Sequence, residues 1–169
     1  MRNILQFSFI IFLFCGCQKD RPAQTSCDMQ QVYAANAKKV SVKSGIWGTV
    51  SFMEGNCMPA IEPAKGSCKN CPVERTLKIY QYTLSSNATP SINAVGFFDD
   101  FNTQLVAQVR SDKNGFFQVN LPMGHYSIAV VENGKLYVNS YDGQGGLNPF
   151  MVTSGIEKVN ISMTYKAVF

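Results

Sequence analysis

A chain of 169 residues with 46% hydrophobic and 12% aromatic content is long enough to bury one sizeable core, and too apolar and weakly charged to stay disordered. Its net charge of +4 comes with no Lys/Arg run and no interleaving of aromatic with basic residues, which speaks against nucleic acid as a partner. The 13 Gly and 7 Pro fall between short apolar runs, a spacing that predicts an all-β domain rather than a helical one.

Residues 1–16 read as a targeting segment and are set aside from the fold. Arg2 gives a single-charge start, and residues 4–14 form an apolar run shorter than the ~20 residues that cross a bilayer. Phe14-Cys15-Gly16-Cys17 then gives way to the polar Gln18-Lys19-Asp20-Arg21-Pro22. A small residue followed by Cys at the cleavage point resembles a bacterial lipobox, with Cys15 where such boxes more often carry Ala, Ser or Thr. The resemblance implies cleavage before Cys17 and acylation of Cys17. The membrane would then be a partner through the lipid, in an outer-membrane lipoprotein that is periplasmic or surface-exposed. Two or more acyl chains hold stably where one is marginal. Gln18-Lys19-Asp20 also resembles the surface-export signals of lipoproteins from Bacteroidota-type bacteria. The alternative is an ordinary secretory signal with a coincidental Cys. Without residues 1–16 the net charge is +3.

Residues 17–44 form a polar lead, read as the lipidated Cys17 and a tether. Within it residues 28–39 predict one short helix, with Ser26 or Asp28 as cap and a narrow apolar stripe of Met29, Val32 and Tyr33. A flexible spacer is the alternative. Fully extended at roughly 3.3 Å per residue, such a spacer would reach on the order of 90 Å.

From residue 45 to 169 strand signals recur. Ile46, Val50 and Phe52 share one face of the first strand. Leu77 and Ile79 point one way in the next, with Tyr80 and Tyr82 the other. Residues 94–98 and 104–111 suggest a hairpin around Asp99-Asp100-Phe101-Asn102. Asp112-Lys113-Asn114-Gly115 and Leu121-Pro122-Met123-Gly124 are turn sequences that divide the next three strands into successive hairpins. Glu132-Asn133-Gly134 turns the chain into residues 135–141, and residues 159–165 alternate as the last strand. Seven to nine short strands without a helix point to a β-sandwich.

Gly45-Ile46-Trp47-Gly48-Thr49-Val50, Asp112-Lys113-Asn114-Gly115-Phe116-Phe117 and Leu121-Pro122-Met123-Gly124-His125-Tyr126 together resemble the carboxypeptidase regulatory-like domain. That resemblance implies an all-β, transthyretin-like (prealbumin-like) sandwich of about seven strands, Greek-key type. It implies a non-catalytic binding or scaffolding module with no cofactor. The cysteine-bearing insert of residues 54–73 and the long connection of residues 85–93 depart from the family pattern.

Cys27, Cys57, Cys68 and Cys71 remain in the mature chain, an even number that favours two disulfides in an exported protein. Of three pairings, Cys57–Cys68 would staple the ends of the insert, and Cys27–Cys71 then follows by elimination. The alternatives are a redox pair or a metal site built on Cys68 and Cys71. His125, the single histidine, lies beside a turn, opposite Tyr126 and Ile128. A small envelope hydrolase would need it to meet a carboxylate and a hydroxyl. Asp99, Asp100 and Asn102, or Asp142-Gly143-Gln144-Gly145-Gly146, are sparse candidates for Ca²⁺, with ordinary turns as the alternative. Tyr80, Tyr82, Tyr137 and Tyr141 on outward strand faces, with Phe97, Phe98 and Phe101 near a loop tip, form the candidate binding surface for a protein or a glycan. Burial under loops or the tether is the competing expectation.

Overall fold

The computed structural model describes residues 26–59 and 67–169; the expected targeting segment 1–16, the acylation site Cys17 and the first part of the tether lie outside the described residues. Among the described residues one α-helix, α1 (Met29–Ala37), precedes twelve strands. They are β1 (Gly45–Asn56), β2 (Lys69–Pro72), β3 (Thr76–Gln81), β4 (Ala88–Pro90), β5 (Phe97–Phe101) and β6 (Leu105–Arg110), then β7 (Phe116–Val119), β8 (Gly124–Glu132), β9 (Lys135–Tyr137), β10 (Pro149–Val152), β11 (Ile156–Lys158) and β12 (Ile161–Val168).

The strands form two sheets. In the five-stranded sheet β1 is central. Antiparallel β7 and β2 take successive halves of one edge, and parallel β11 and β12 take the other. The seven-stranded sheet is antiparallel throughout, in the order β4-β5-β9-β8-β3-β6, with β10 also paired to β8. Period-two alternation decides how they pack: Ile46 and Val50 of β1 and Met163 of β12 meet Leu77, Ile79, Ile128 and Val130 of the facing sheet in the main core. The opposite face of the seven-stranded sheet is buried too. Tyr80, Phe98, Phe101, Ala129, Leu136, Val138 and Leu147 form a second core there.

The turns expected to close hairpins do something else. The 112–115 turn leads from β6, paired to β3, into β7, paired to β1, so it carries the chain from one sheet to the other. The 121–124 turn carries it back into β8. The predicted pairing of the strands around Asp99 is likewise replaced, with β5 joining β4 and β9 and β6 joining β3. Alternation reports which face of a strand is buried, whereas the choice of partner is made by distant residues. Where the turn is two residues long at positive φ, Asn133 (52°) and Gly134 (78°), the expected hairpin of β8 and β9 forms.

Asp28 caps α1, its Oδ1 accepting the Gln31 N–H at 3.0 Å. Nine residues make a marginal helix alone, and α1 is held by tertiary bonds. Buried Asn36 donates through Nδ2 to Thr49 Oγ1 and to the Asn114 carbonyl, both at 2.9 Å. Lys158 Nζ sits 5.5 Å from the Tyr33 ring and 5.3 Å from the Trp47 ring. Cys27–Cys71 ties the start of the helix to β2. The segment expected as a tether as far as residue 44 is therefore part of the folded body from residue 26 onward.

Candidate functional site

Both disulfides lie in the lead and the insert: Cys27–Cys71, with Cα atoms 4.9 Å apart, and Cys57–Cys68, 4.6 Å apart. Cys68 and Cys71 thus each bond a different, distant sulfur. Cys71 sits on β2, a strand paired along β1.

The carboxylates in turns are occupied by their own loops. Asp142 Oδ1 accepts the N–H groups of Gly146 (2.8 Å) and Gln144 (2.9 Å), and Oδ2 accepts the Tyr82 hydroxyl at 2.7 Å. Those bonds, the Gly146 N–H first, hold its carboxyl below the usual range, while the bond to Asp142 pushes the Tyr82 phenol up. Asp99 accepts from Ser91 Oγ and pairs with Lys135 Nζ at 3.3 Å. Among the described residues, no three His, Cys, Asp or Glu side chains gather as a metal site.

His125 stacks on Tyr82, ring centroids 3.9 Å apart and planes 16° from parallel. Imidazole lone pairs lie in the ring plane. A histidine stacked face to face therefore cannot take the proton of the hydroxyl on that same ring, which is already given to Asp142. His125, Tyr82 and Asp142 are neighbours without forming a proton relay.

The candidate aromatic surface is largely corrected by burial. Tyr80, Phe98 and Phe101 face away from the main core, yet they pack with Ala88, Ala129, Leu136, Val138 and Leu147 in the second core and are buried there. Tyr137 points into the main core, at 2% exposure, because β9 presents Leu136 and not Tyr137 to the second core. Tyr82 is half-buried under His125. Tyr141, 52% exposed, and half-buried Phe97 remain accessible.

These residues border an open cleft of about 640 Å³, where the 93–97 loop faces β12. Phe97, Tyr137 and Tyr165 pack its floor with ring centroids 5.0–5.5 Å apart. Tyr165 donates to Glu132 Oε1 at 2.6 Å, and Glu132 also pairs with Arg75 Nε. Burial first, and the Glu132 bond second, push the Tyr165 phenol up to about 12. Tyr137 Oη accepts the Thr164 N–H at 3.0 Å. Asn139 Nδ2 donates to the Ser162 carbonyl at 2.6 Å. A second depression of about 600 Å³ lies across the same loop, again bordered by Tyr141. Val95, 98% exposed, borders both, and Ile92, 85% exposed, lies in the same connection.

Tyr165, Asn139, Ile92 and Val95 were not singled out in the sequence. The one available signal was an aliphatic pair within an otherwise polar connection. The chain matches no protein-family model, no curated protein and no solved structure.

Proposed function

We propose that the chain is a lipid-anchored cell-envelope protein whose sandwich, of the transthyretin-like Greek-key type implied by the resemblance to carboxypeptidase regulatory-like domains, is a non-catalytic binding or scaffolding module. The observation that carries this reading is the cleft beside β12: an aromatic floor, an exposed Tyr141 and the side chain of Val95 standing in solvent at its border. Exposed apolar groups grouped around a concavity are the ordinary mark of a binding site. Two features weigh against the enzymatic alternatives. Both sulfurs of the Cys68/Cys71 pair are committed to other cysteines, which removes a dithiol and its thiolate ligands. The stacked His125 has no route to the hydroxyl beside it. The test has two arms. Mass spectrometry of the membrane-extracted protein is expected to find acylated Cys17 as the first residue, and an unmodified Cys17 refutes the anchor. A photocrosslinking residue at position 95, used in intact cells, is expected to capture a partner that the same residue at exposed position 133 does not. Equal yields refute the cleft as the site.

A further inference from the structure

On the face of the seven-stranded sheet opposite the main core, three adjacent strands set Tyr82, His125 and Met151 in one row. Parity fixes that face: Leu77 and Ile79 of β3, Tyr126 and Ile128 of β8 and Val152 of β10 enter the main core, so side chains of the other parity point away from it. The Tyr82 N–H, just beyond β3, donates to the His125 carbonyl at 3.1 Å, so the backbone groups of His125 are turned toward β3. On its other side His125 has Met151 as register partner. That pair is therefore of the non-hydrogen-bonded kind, in which facing Cα atoms come within about 4.5 Å and side chains approach most closely. Met123 stands immediately before β8, two residues from His125, the spacing that returns an extended chain to one face.

Met123 is 74% exposed and Met151 54%, whereas a thioether ordinarily fills a core, as the fully buried Met163 does. Both flank the single histidine of the chain, itself exposed. His125 is held by its face: the Tyr82 ring lies 3.9 Å beneath it, and the Tyr82 hydroxyl is tied to Asp142 Oδ2 at 2.7 Å. Stacking occupies the face of an imidazole and leaves the nitrogen lone pair, at its edge, to the surroundings. One imidazole nitrogen and two thioether sulfurs make a soft, uncharged donor set. Hard cations call for oxygen, and the nearby carboxylate, Asp142, already serves the Gly146 and Gln144 N–H groups and Tyr82. Thioethers with imidazole select monovalent copper.

We propose that Met123, His125 and Met151 form a surface site for Cu(I), with an imidazole nitrogen of His125 and the two Sδ atoms as ligands. Tyr82, braced by Asp142, is the positioning residue that orients the imidazole. None of the three ligands lines the cleft beside β12, so the copper site and the binding-module reading stand or fall separately.

The test uses the full-length protein in detergent, treated with N-ethylmaleimide so that no free thiol competes, and with both disulfides verified by mass spectrometry. It is titrated anaerobically with Cu(I) against the chromophoric chelator bicinchoninate, from which it is expected to draw one equivalent. Met123→Leu and Met151→Leu are each expected to weaken binding by roughly tenfold or more, as is His125→Phe, which keeps an aromatic ring on Tyr82. All three positions are exposed, so these variants should fold. Met58→Leu, at a methionine 47% exposed elsewhere, is expected to change nothing. X-ray absorption of the bound ion should show two sulfur neighbours and one nitrogen. Tyr82→Leu should weaken binding by about tenfold with that ligand set intact. A protein that draws no Cu(I) from the chelator overturns the proposal. So does uptake that survives His125→Phe or either methionine substitution, and so does a bound ion without sulfur neighbours.

Discussion

Removing Cys27–Cys71 is expected to cost more than removing Cys57–Cys68, although the two bridges are chemically alike. Their loops differ: the partners are 44 residues apart in one and 11 in the other. In the chain-entropy treatment a cross-link restricts the unfolded ensemble by an amount that grows with the logarithm of loop length. That gives about 4 kcal/mol for the outer bridge and about 2.8 kcal/mol for the inner one. The inner loop is nested within the outer one, so with Cys57–Cys68 intact the outer loop is effectively shorter and its contribution drops to about 3.7 kcal/mol. The paired variants Cys27→Ser/Cys71→Ser and Cys57→Ser/Cys68→Ser, unfolded in urea, should therefore differ by about 1 kcal/mol, with the outer pair the weaker. For a chain of this size the outer pair should lower Tm by roughly 8–15 °C. The urea dependence should steepen in both, because the freed unfolded chain exposes more surface. If the inner pair proves the more damaging, loop closure is not how these bridges act, and the reasoning fails.

Other substitutions probe single contacts. Asn36→Ala strands Thr49 Oγ1 and the Asn114 carbonyl beneath α1, and is expected to destabilise by about 1–3 kcal/mol in urea titration, with faster amide exchange across residues 29–37. Gly48→Ala would drive a Cβ into the Val159 carbonyl, so soluble folded protein should be lost; Gly134→Ala meets open space and should cost only about 1–2 kcal/mol for its positive φ, visible as a modest Tm shift. Burial raises the Asp112 carboxyl, but the Lys39 ammonium and the N–H groups of Phe116 and Asn114 outweigh that and lower it overall. Its stabilising contribution is therefore present above the unfolded carboxylate range near ~4 and lost as pH falls through the folded value. Asp112→Asn should flatten the acid limb of a Tm–pH profile. Tyr165 shifts the other way: its folded value of about 12 lies above the unfolded ~10. Its contribution is complete below pH ~10 and lost as pH rises toward 12. Absorbance titration should reveal a late-ionising phenol that Tyr165→Phe removes.

How far the sequence was legible depended on how local each determinant is. The α1 helix, its cap and the Asn133-Gly134 hairpin are decided within a few residues; the hairpin turn could be read directly, whereas the helix competed with a flexible spacer and its cap with Ser26 until Asp28 was seen to accept the Gln31 N–H. Strand faces were legible at β3, where Leu77 and Ile79 enter the main core and Tyr80 the opposite side. What covers that opposite side was not, because the second core is made by segments dozens of residues away. Tyr80 and Phe101 looked like an exposed platform for that reason. The short strands β2, β4, β10 and β11 carry too few residues to show a period, and owe their existence to the longer strands beside them. The burial of Asn148 was invisible for a related reason: an asparagine in a Gly-rich segment reads as a turn residue, and only the packed structure takes its amide out of water.

The proposed anchor and the proposed site stand in a definite relation. Cys27 is bonded to β2 on one edge of β1, whereas the cleft follows β12 on the other. Two strand spacings, about 10 Å, separate those edges. With acyl chains on Cys17, ten residue steps lead to the Cys27 bridge, an extended reach of at most about 35 Å, in place of the ~90 Å available to a spacer running to residue 44. If Cys17 carries the proposed lipid, the Cys27–Cys71 bridge, with the Cys27 N–H to Asn70 carbonyl bond beside it, also sets the point on the β2 edge from which that anchor extends. Breaking the bridge while the Asn36 bonds to Thr49 and Asn114 persist should lengthen that tether by only a few residues, so a spin-label distance from position 27 to β2 should broaden while one from position 36 stays narrow.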